Sequence, residues 1–140
     1  MMTVITKSIK VQSKGENDVV DLTDKISVKI KESQISSGVV TVFVTGSTGA
    51  LTTIEYEPGL LKDFPDMLSR IAPNDLNYEH EQMWHDGNGR SHVKASLIGP
   101  SLTIPFNDDK LLLGTWQQIV FIELDTRKRE RNIVLQIIGN

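Results

Sequence analysis

All three histidines of this 140-residue chain fall within one short polar segment, Tyr78-Glu79-His80-Glu81-Gln82-Met83-Trp84-His85-Asp86-Gly87-Asn88-Gly89-Arg90-Ser91-His92. Imidazole is the side chain best suited both to ligate a transition metal and to move protons near neutral pH, so its confinement to one stretch directs attention there. Residues four apart share a helix face, which is why zinc proteases carry His-Glu-x-x-His; His80 and His85 are five apart and would diverge by about 140° on a helix. Gly87 and Gly89, flanked by Asp86 and Asn88, predict a folded loop able to draw His80, His85 and His92 together. A three-imidazole metal site is one outcome, and exposed or hydrogen-bonding histidines without a ligand are the other. The Asp86-Gly87-Asn88-Gly89 turn lacks the further oxygen ligands and late glutamate of a calcium loop.

Composition narrows the chemistry. The chain has no cysteine, which removes disulfides, thiolate metal sites and cysteine nucleophiles, so any metal must be held by nitrogen and oxygen. With 15 basic against 18 acidic residues there is no overall field to attract nucleic acid. No stretch approaches the roughly 20 apolar residues of a membrane span, and neither end reads as a signal peptide. The expectation is a cytoplasmic protein with no nucleic-acid or membrane partner, folded as a single domain over residues 1–140.

The elements that would position the histidines follow from periodicity. Thr3 to Gln12 alternates as a strand; Leu22, Ile26 and Ile30 recur every fourth residue behind Asp21 and Thr23, predicting a helix that stops before Gly38. Val39 to Thr45 has the composition of a strand buried on both faces, followed by the turn Gly46-Ser47-Thr48-Gly49 and a strand from Ala50 to Tyr56. Leu60, Leu61, Phe64, Met67, Leu68 and Ile71 describe a second helix, expected to begin near Asp63 so that Pro65 falls in its first turn. From His92 onward everything reads as strand: His92 to Ile98, Ser101 to Phe106, Leu111 to Leu113, Trp116 to Leu124 and Arg131 to Ile138. Two helices among about seven strands predict an α+β domain dominated by antiparallel sheet. Leading into the last strand Arg127, Arg129 and Arg131 alternate, so in extended conformation they would share a face and could grip a phosphate, unless they are simply a solvated hairpin end. Trp84 reads as a packed aromatic.

The ordered set His80, Asn88-Gly89, Ser91-His92-Val93-Lys94-Ala95-Ser96, Gly99-Pro100-Ser101, Pro105 and Leu113-Gly114-Thr115-Trp116-Gln117-Gln118-Ile119 resembles the YjbQ-like family, whose members are described as secondary thiamine-phosphate synthases. The likeness also takes in the Thr48 to Glu55 segment and the closing arginine-rich hairpin. It implies antiparallel sheets packed as a sandwich, a homotrimer or a dimer of trimers, and a divalent metal, zinc first among the candidates, on the family's histidines. The match is direct at His80 and His92. It departs at Gly46, where many members carry a histidine, and at Asp109, where the hairpin usually has glycine; His85 is a candidate to replace the missing imidazole. On this reading His80, His85 and His92 hold the metal, with Glu55 a carboxylate ligand or proton acceptor and Asp86 orienting a ligating histidine. Ser101, Lys94 and the alternating arginines Arg127 and Arg129 would bind the phosphate of a small metabolite. The family's named reaction joins a pyrimidine pyrophosphate to a thiazole phosphate with loss of pyrophosphate, and a cation beside phosphate-binding groups suits that leaving group. A different metal-assisted reaction on a phosphorylated or carboxylated metabolite, or a non-catalytic trimeric binding protein, would use the same residues.

Overall fold

The computed structural model describes all 140 residues. Eight strands and four helices follow in the order β1 (Thr3–Gln12), β2 (Val19–Asp21), α1 (Thr23–Ser33), β3 (Gly38–Val44), β4 (Gly49–Ile54), α2 (Pro58–Ile71), α3 (Glu79–Trp84), α4 (Gly89–Ile98), β5 (Ser101–Asn107), β6 (Lys110–Leu111), β7 (Gln118–Glu123) and β8 (Glu130–Gly139). A five-stranded sheet runs β1-β8-β3-β5-β6 and a three-stranded sheet runs β2-β7-β4, every pairing antiparallel. The α+β expectation holds, with four helices rather than two.

The two sheets face one another across the main core. Val40, Val42 and Val44 of β3, Ile133, Leu135 and Ile137 of β8 and Ile9 and Val11 of β1 meet Leu51 of β4 and Ile119 and Phe121 of β7, and α1 closes the gap with Ile26, Ile30 and its N-cap residue Leu22. Ile26 and Ile30 are wholly buried, each contributing about 1.5–3 kcal/mol of apolar burial. A second core lies on the outer face of the smaller sheet, where Val19, Ala50, Val120, Ile122 and Leu124 are covered by Leu68 of α2 and Ala95 of α4. The strand covered on both faces is therefore β7, the middle of the smaller sheet. In β3, expected to be that strand, Val40, Val42 and Val44 point inward while Val39 and Phe43 are exposed.

Local chemistry sets the helix ends. Asp21 accepts from the Thr23 amide and hydroxyl, and the Thr23 hydroxyl in turn accepts from the Ile119 amide, tying the start of α1 to β7. Glu57 caps α2 by accepting from the Gly59 and Leu60 amides, with Pro58 in its first turn. The helix thus begins five residues ahead of Asp63 and carries Pro65 in its interior, where the buried ring packs and the Ser69 hydroxyl takes up the Pro65 carbonyl. No helix is long and apolar enough to cross a membrane.

The largest departure is at residues 89–98, expected as a strand from His92 and found as α4. Ser91, Lys94, Ala95 and Ile98 recur at helical spacing and turn toward β4, and Gly99, at φ +106°, ends the helix where an L side chain would be strained. Two of those inward positions are polar, which hides the helical period from a hydrophobicity reading. The histidine segment, expected as loop throughout, contains the short helix α3.

Candidate functional site at the α3–α4 hairpin

The chain turns from α3 into α4 through His85, Asp86, Gly87 and Asn88, and Gly89 is where the two helices close on each other. A Cβ at Gly89 would stand 2.6 Å from that of Tyr78 and 2.9 Å from the Glu81 carboxylate, and the Gly89 amide donates to Glu81 Oε1 at 2.6 Å. Only glycine permits this approach. It folds His80 back over the start of α4, where its ring lies 4.4 Å from that of His92, centroid to centroid, tilted by 54°.

His80 Nε2 is 3.0 Å from Asn88 Oδ1 and 3.2 Å from Asp86 Oδ1. Asn88 is buried, and its amide nitrogen donates to Asp125 Oδ1 at 3.5 Å. Because the Asp125 carboxylate only accepts, the Asn88 oxygen must face His80, and Nε2 must carry the proton of that bond. Asp125 in turn accepts from Arg129 Nε and Nη2 at 3.0 and 2.8 Å and from the Thr48 hydroxyl at 3.0 Å. Thr48 also accepts from Arg131 Nη2, whose guanidinium clasps the fully buried Glu123. A connected polar network thus runs from His80 through Asn88, Asp125 and Thr48 to Arg131 and Glu123. Burial pushes the Asp125 carboxyl up, but the Thr126 amide, the Thr48 hydroxyl and Arg129 outweigh it and hold the group below the usual aspartate range.

The structure brings His80, His92 and Asp86 together and adds Glu81: ligand atoms of His80, Glu81 and Asp86 all lie within 4.8 Å of one another. Glu81 was not anticipated, although it neighbours His80 in sequence. One imidazole and two carboxylates, with a second imidazole beside them and no thiolate available, is a donor set that fits a divalent cation preferring nitrogen and oxygen. His85 stands apart, exposed in the left-handed conformation that caps α3. Glu55 lies beyond the far end of β4, roughly 20 Å from Gly49 at the rise of an extended strand, where it lines a separate cavity of about 460 Å³ with Asp21, Thr23, Trp116 and Gln118. Ser101 is exposed at the start of β5 opposite Phe43.

The arginines do not form the face expected of them. Arg127 sits in the exposed turn before β8, while Arg129 and Arg131 turn inward to Asp125 and Glu123. A hairpin that brings two buried carboxylates opposite two arginines neutralises them internally instead of presenting them together. Lys94 is 1% exposed and its Nζ has no hydrogen-bond partner; the Ser91 hydroxyl one turn earlier is likewise unpartnered. Burial lowers the Lys94 pKa, Glu16 opposes that and Arg90 adds to it, while Arg90 itself is clasped to Glu16 at 2.8 and 2.9 Å.

The fold and hairpin define a class: an α+β protein of packed antiparallel sheets with a histidine–carboxylate cluster at a helical turn. Residues 7–140 match the family model "UPF0047 protein YjbQ-like", and the chain belongs to that family. It is 37% identical over 99% of both chains to a UPF0047 protein of Methanocaldococcus jannaschii, and 36% identical to one of Methanothermobacter thermautotrophicus, covering 99% of this chain and 94% of that one. Among solved structures it is similar to a YbjQ-like protein of unknown function from Sulfolobus solfataricus P2, with TM-score 0.93, 31% identity and full coverage of both chains. A hypothetical protein from Aeropyrum pernix K1 aligns with TM-score 0.89 and 30% identity, over 97% of this chain and 99% of that one.

Proposed function

We propose that the α3–α4 hairpin seats a divalent metal and that the protein is a cytoplasmic enzyme acting on a small metabolite at that position. The observation that carries this reading is the convergence of His80, Glu81 and Asp86 ligand atoms within 4.8 Å, with the His92 ring 4.4 Å from that of His80. Zinc is the first metal to test, since imidazole and carboxylate are among its usual ligands. Once bound, such an ion polarises a carbonyl or phosphoryl oxygen or activates a water. The chain's own groups supply the rest. Asn88, anchored by Asp125, fixes the plane and tautomer of the His80 ring, and Glu81 is held in place by the Gly89 amide. His92, half-buried beside His80, is the group placed to hold or move a proton at the edge of the cluster. The test is metal analysis of tag-free protein: about one equivalent per subunit in the wild type, and loss of it in His80→Ala with the fold intact, is the expected result. Protein that binds no divalent metal sinks the proposal.

The family's named reaction supplies the first activity to assay. Pyrimidine pyrophosphate and thiazole phosphate should yield thiamine phosphate and pyrophosphate, and His92→Ala should abolish the yield. Tight metal binding without that turnover would direct the search to other phosphorylated or carboxylated metabolites. The reading includes the homotrimer that the resemblance implies. The exposed apolar residues Met67, Ile71, Val93 and Leu97 on α2 and α4 are consistent with a covered surface, and light scattering decides it.

A further inference from the structure

We infer that the β3–β4 turn, Gly46-Ser47-Thr48, is an oxyanion subsite that takes the phosphoryl group of a small phosphate ester beside the histidine cluster. Three observations converge there. A cavity of about 190 Å³, far above the roughly 10–15 Å³ that admits one water, is lined by Gly46, Ser47, Gly49, Ala95, Ser96 and Pro100. The amides of Gly46, Ser47 and Thr48 donate to no group of the chain, although their neighbours do: Val44 to Pro100, Thr45 to Asn132 and Leu51 to Gly99. Thr48 is a buried residue while Gly46 and Ser47 are exposed, so these unbonded amides lie where a ligand can reach them from solvent. Consecutive free amides around a residue of positive φ, here Gly46 at +122°, form the concave nest that binds anions.

The third observation supplies charge. Arg131 is 6% exposed, and Nε and Nη2 are committed to Glu123 and Thr48, while Nη1 has no acceptor in the chain. Gly46 packs against it: a Cβ at Gly46 would stand 2.8 Å from Nη1, whereas one at Gly49 would meet the Phe121 ring first, at 2.6 Å, with Arg131 Cζ at 3.6 Å. The guanidinium is therefore separated from the turn by nothing larger than glycine. Any side chain at position 46 would displace Nη1, which its own ion pair holds in place. Seen this way, Gly46 gives a cationic donor access to the turn where the family resemblance expects an imidazole.

Position along α4 joins the turn to the metal cluster. His92, Ala95 and Ser96 share a helix face, with i and i+4 side chains about 5–6 Å apart at Cβ, so a group held at Ser96 has the rest of its molecule one turn from His92. This inference rests on the reading of the histidine cluster for the identity of the reacting end, but its own test needs no metal.

The test is titration of 15N-labelled, EDTA-treated full-length protein with inorganic phosphate and with methyl phosphate. Saturable shifts of the Gly46, Ser47 and Thr48 amides with both titrants are expected, and Gly46→Ala, checked for the wild-type fold by its remaining amide spectrum, should weaken binding at least tenfold. Ser96→Ala, whose exposed side chain serves no packing role, should weaken it by a smaller factor. Absence of those shifts, unchanged affinity in folded Gly46→Ala, or binding of the free ion but not the ester would each overturn the assignment. Metal binding measured separately in the same preparations keeps failure of the cluster distinct from failure of this subsite.

Discussion

The His80 and His92 rings stand 4.4 Å apart because Gly89 lets α3 and α4 close, and because Asn88 reaches from the helix start to His80 Nε2 at 3.0 Å. Asn88 is thus a positioning residue that acts through His80. Asn88→Ala should leave the fold intact and weaken metal binding about 10–100-fold, the usual effect of removing the partner of a ligating histidine. Calorimetric titration with zinc measures it. Near-wild-type affinity would show that the ring is oriented without Asn88.

Asp125 makes acid stability a readout of the same network. Its folded-state pKa is depressed by the Thr126 amide, Thr48 and Arg129 against the pull of burial, so the stabilisation is present above the unfolded value near 3.9 and lost as pH falls through the folded value. Urea denaturation from pH 6 down to pH 3 should show stability falling below about pH 4. Asp125→Asn should be less stable than the wild type at pH 6 and show a flatter acid limb. Parallel limbs would mean that Asp125 does not carry the effect.

Sequence periodicity recovers β1 to the residue, β5 and β8 to within one, and the start of α1, because each alternates or repeats cleanly against one core; α1 ends at Ser33, five residues ahead of the Gly38 stop signal. It fails at α4, where the inward positions Ser91 and Lys94 are polar, although Asn88 and Gly99 stand at the ends where start and stop signals belong. The confinement of the histidines made His80 and His92 legible as neighbours, but that grouping also took in His85, which the structure leaves exposed at the end of α3. Asp125 and Glu123 were not legible, because charged residues in and after a strand read as solvent-facing. Only the hairpin register discloses that Arg129 and Arg131 turn inward to meet them.

Gly139 pairs with Gly38 across β8 and β3, and a Cβ on Gly139 would meet the Ser37 carbonyl oxygen at 2.0 Å. The contact is backbone, so relief requires the strands to part. Gly139→Ala should cost about 1–3 kcal/mol, in the range of overpacked substitutions, measured by urea denaturation at pH 7. An unchanged midpoint would show that this end of the ladder is free to separate.

Lys94 is the clearest energetic liability in the fold. Its amine is enclosed, without a hydrogen-bond partner, and burial drives its pKa down. A lysine whose folded pKa is lowered binds fewer protons folded than unfolded in the window between its folded value and about 10.4, so its contribution rises with pH there and its penalty is greatest below that window. Lys94→Met keeps the length of the side chain and removes the charge. The variant should be more stable than the wild type at pH 7 by about 1–3 kcal/mol, the cost of an unsatisfied buried polar group. The gap should narrow by pH 10, in urea denaturation at the two pH values. A variant less stable than the wild type at pH 7 would show that the amine has a partner in the folded protein, and Ser91, one turn away and equally unpartnered, is where to look for what joins them.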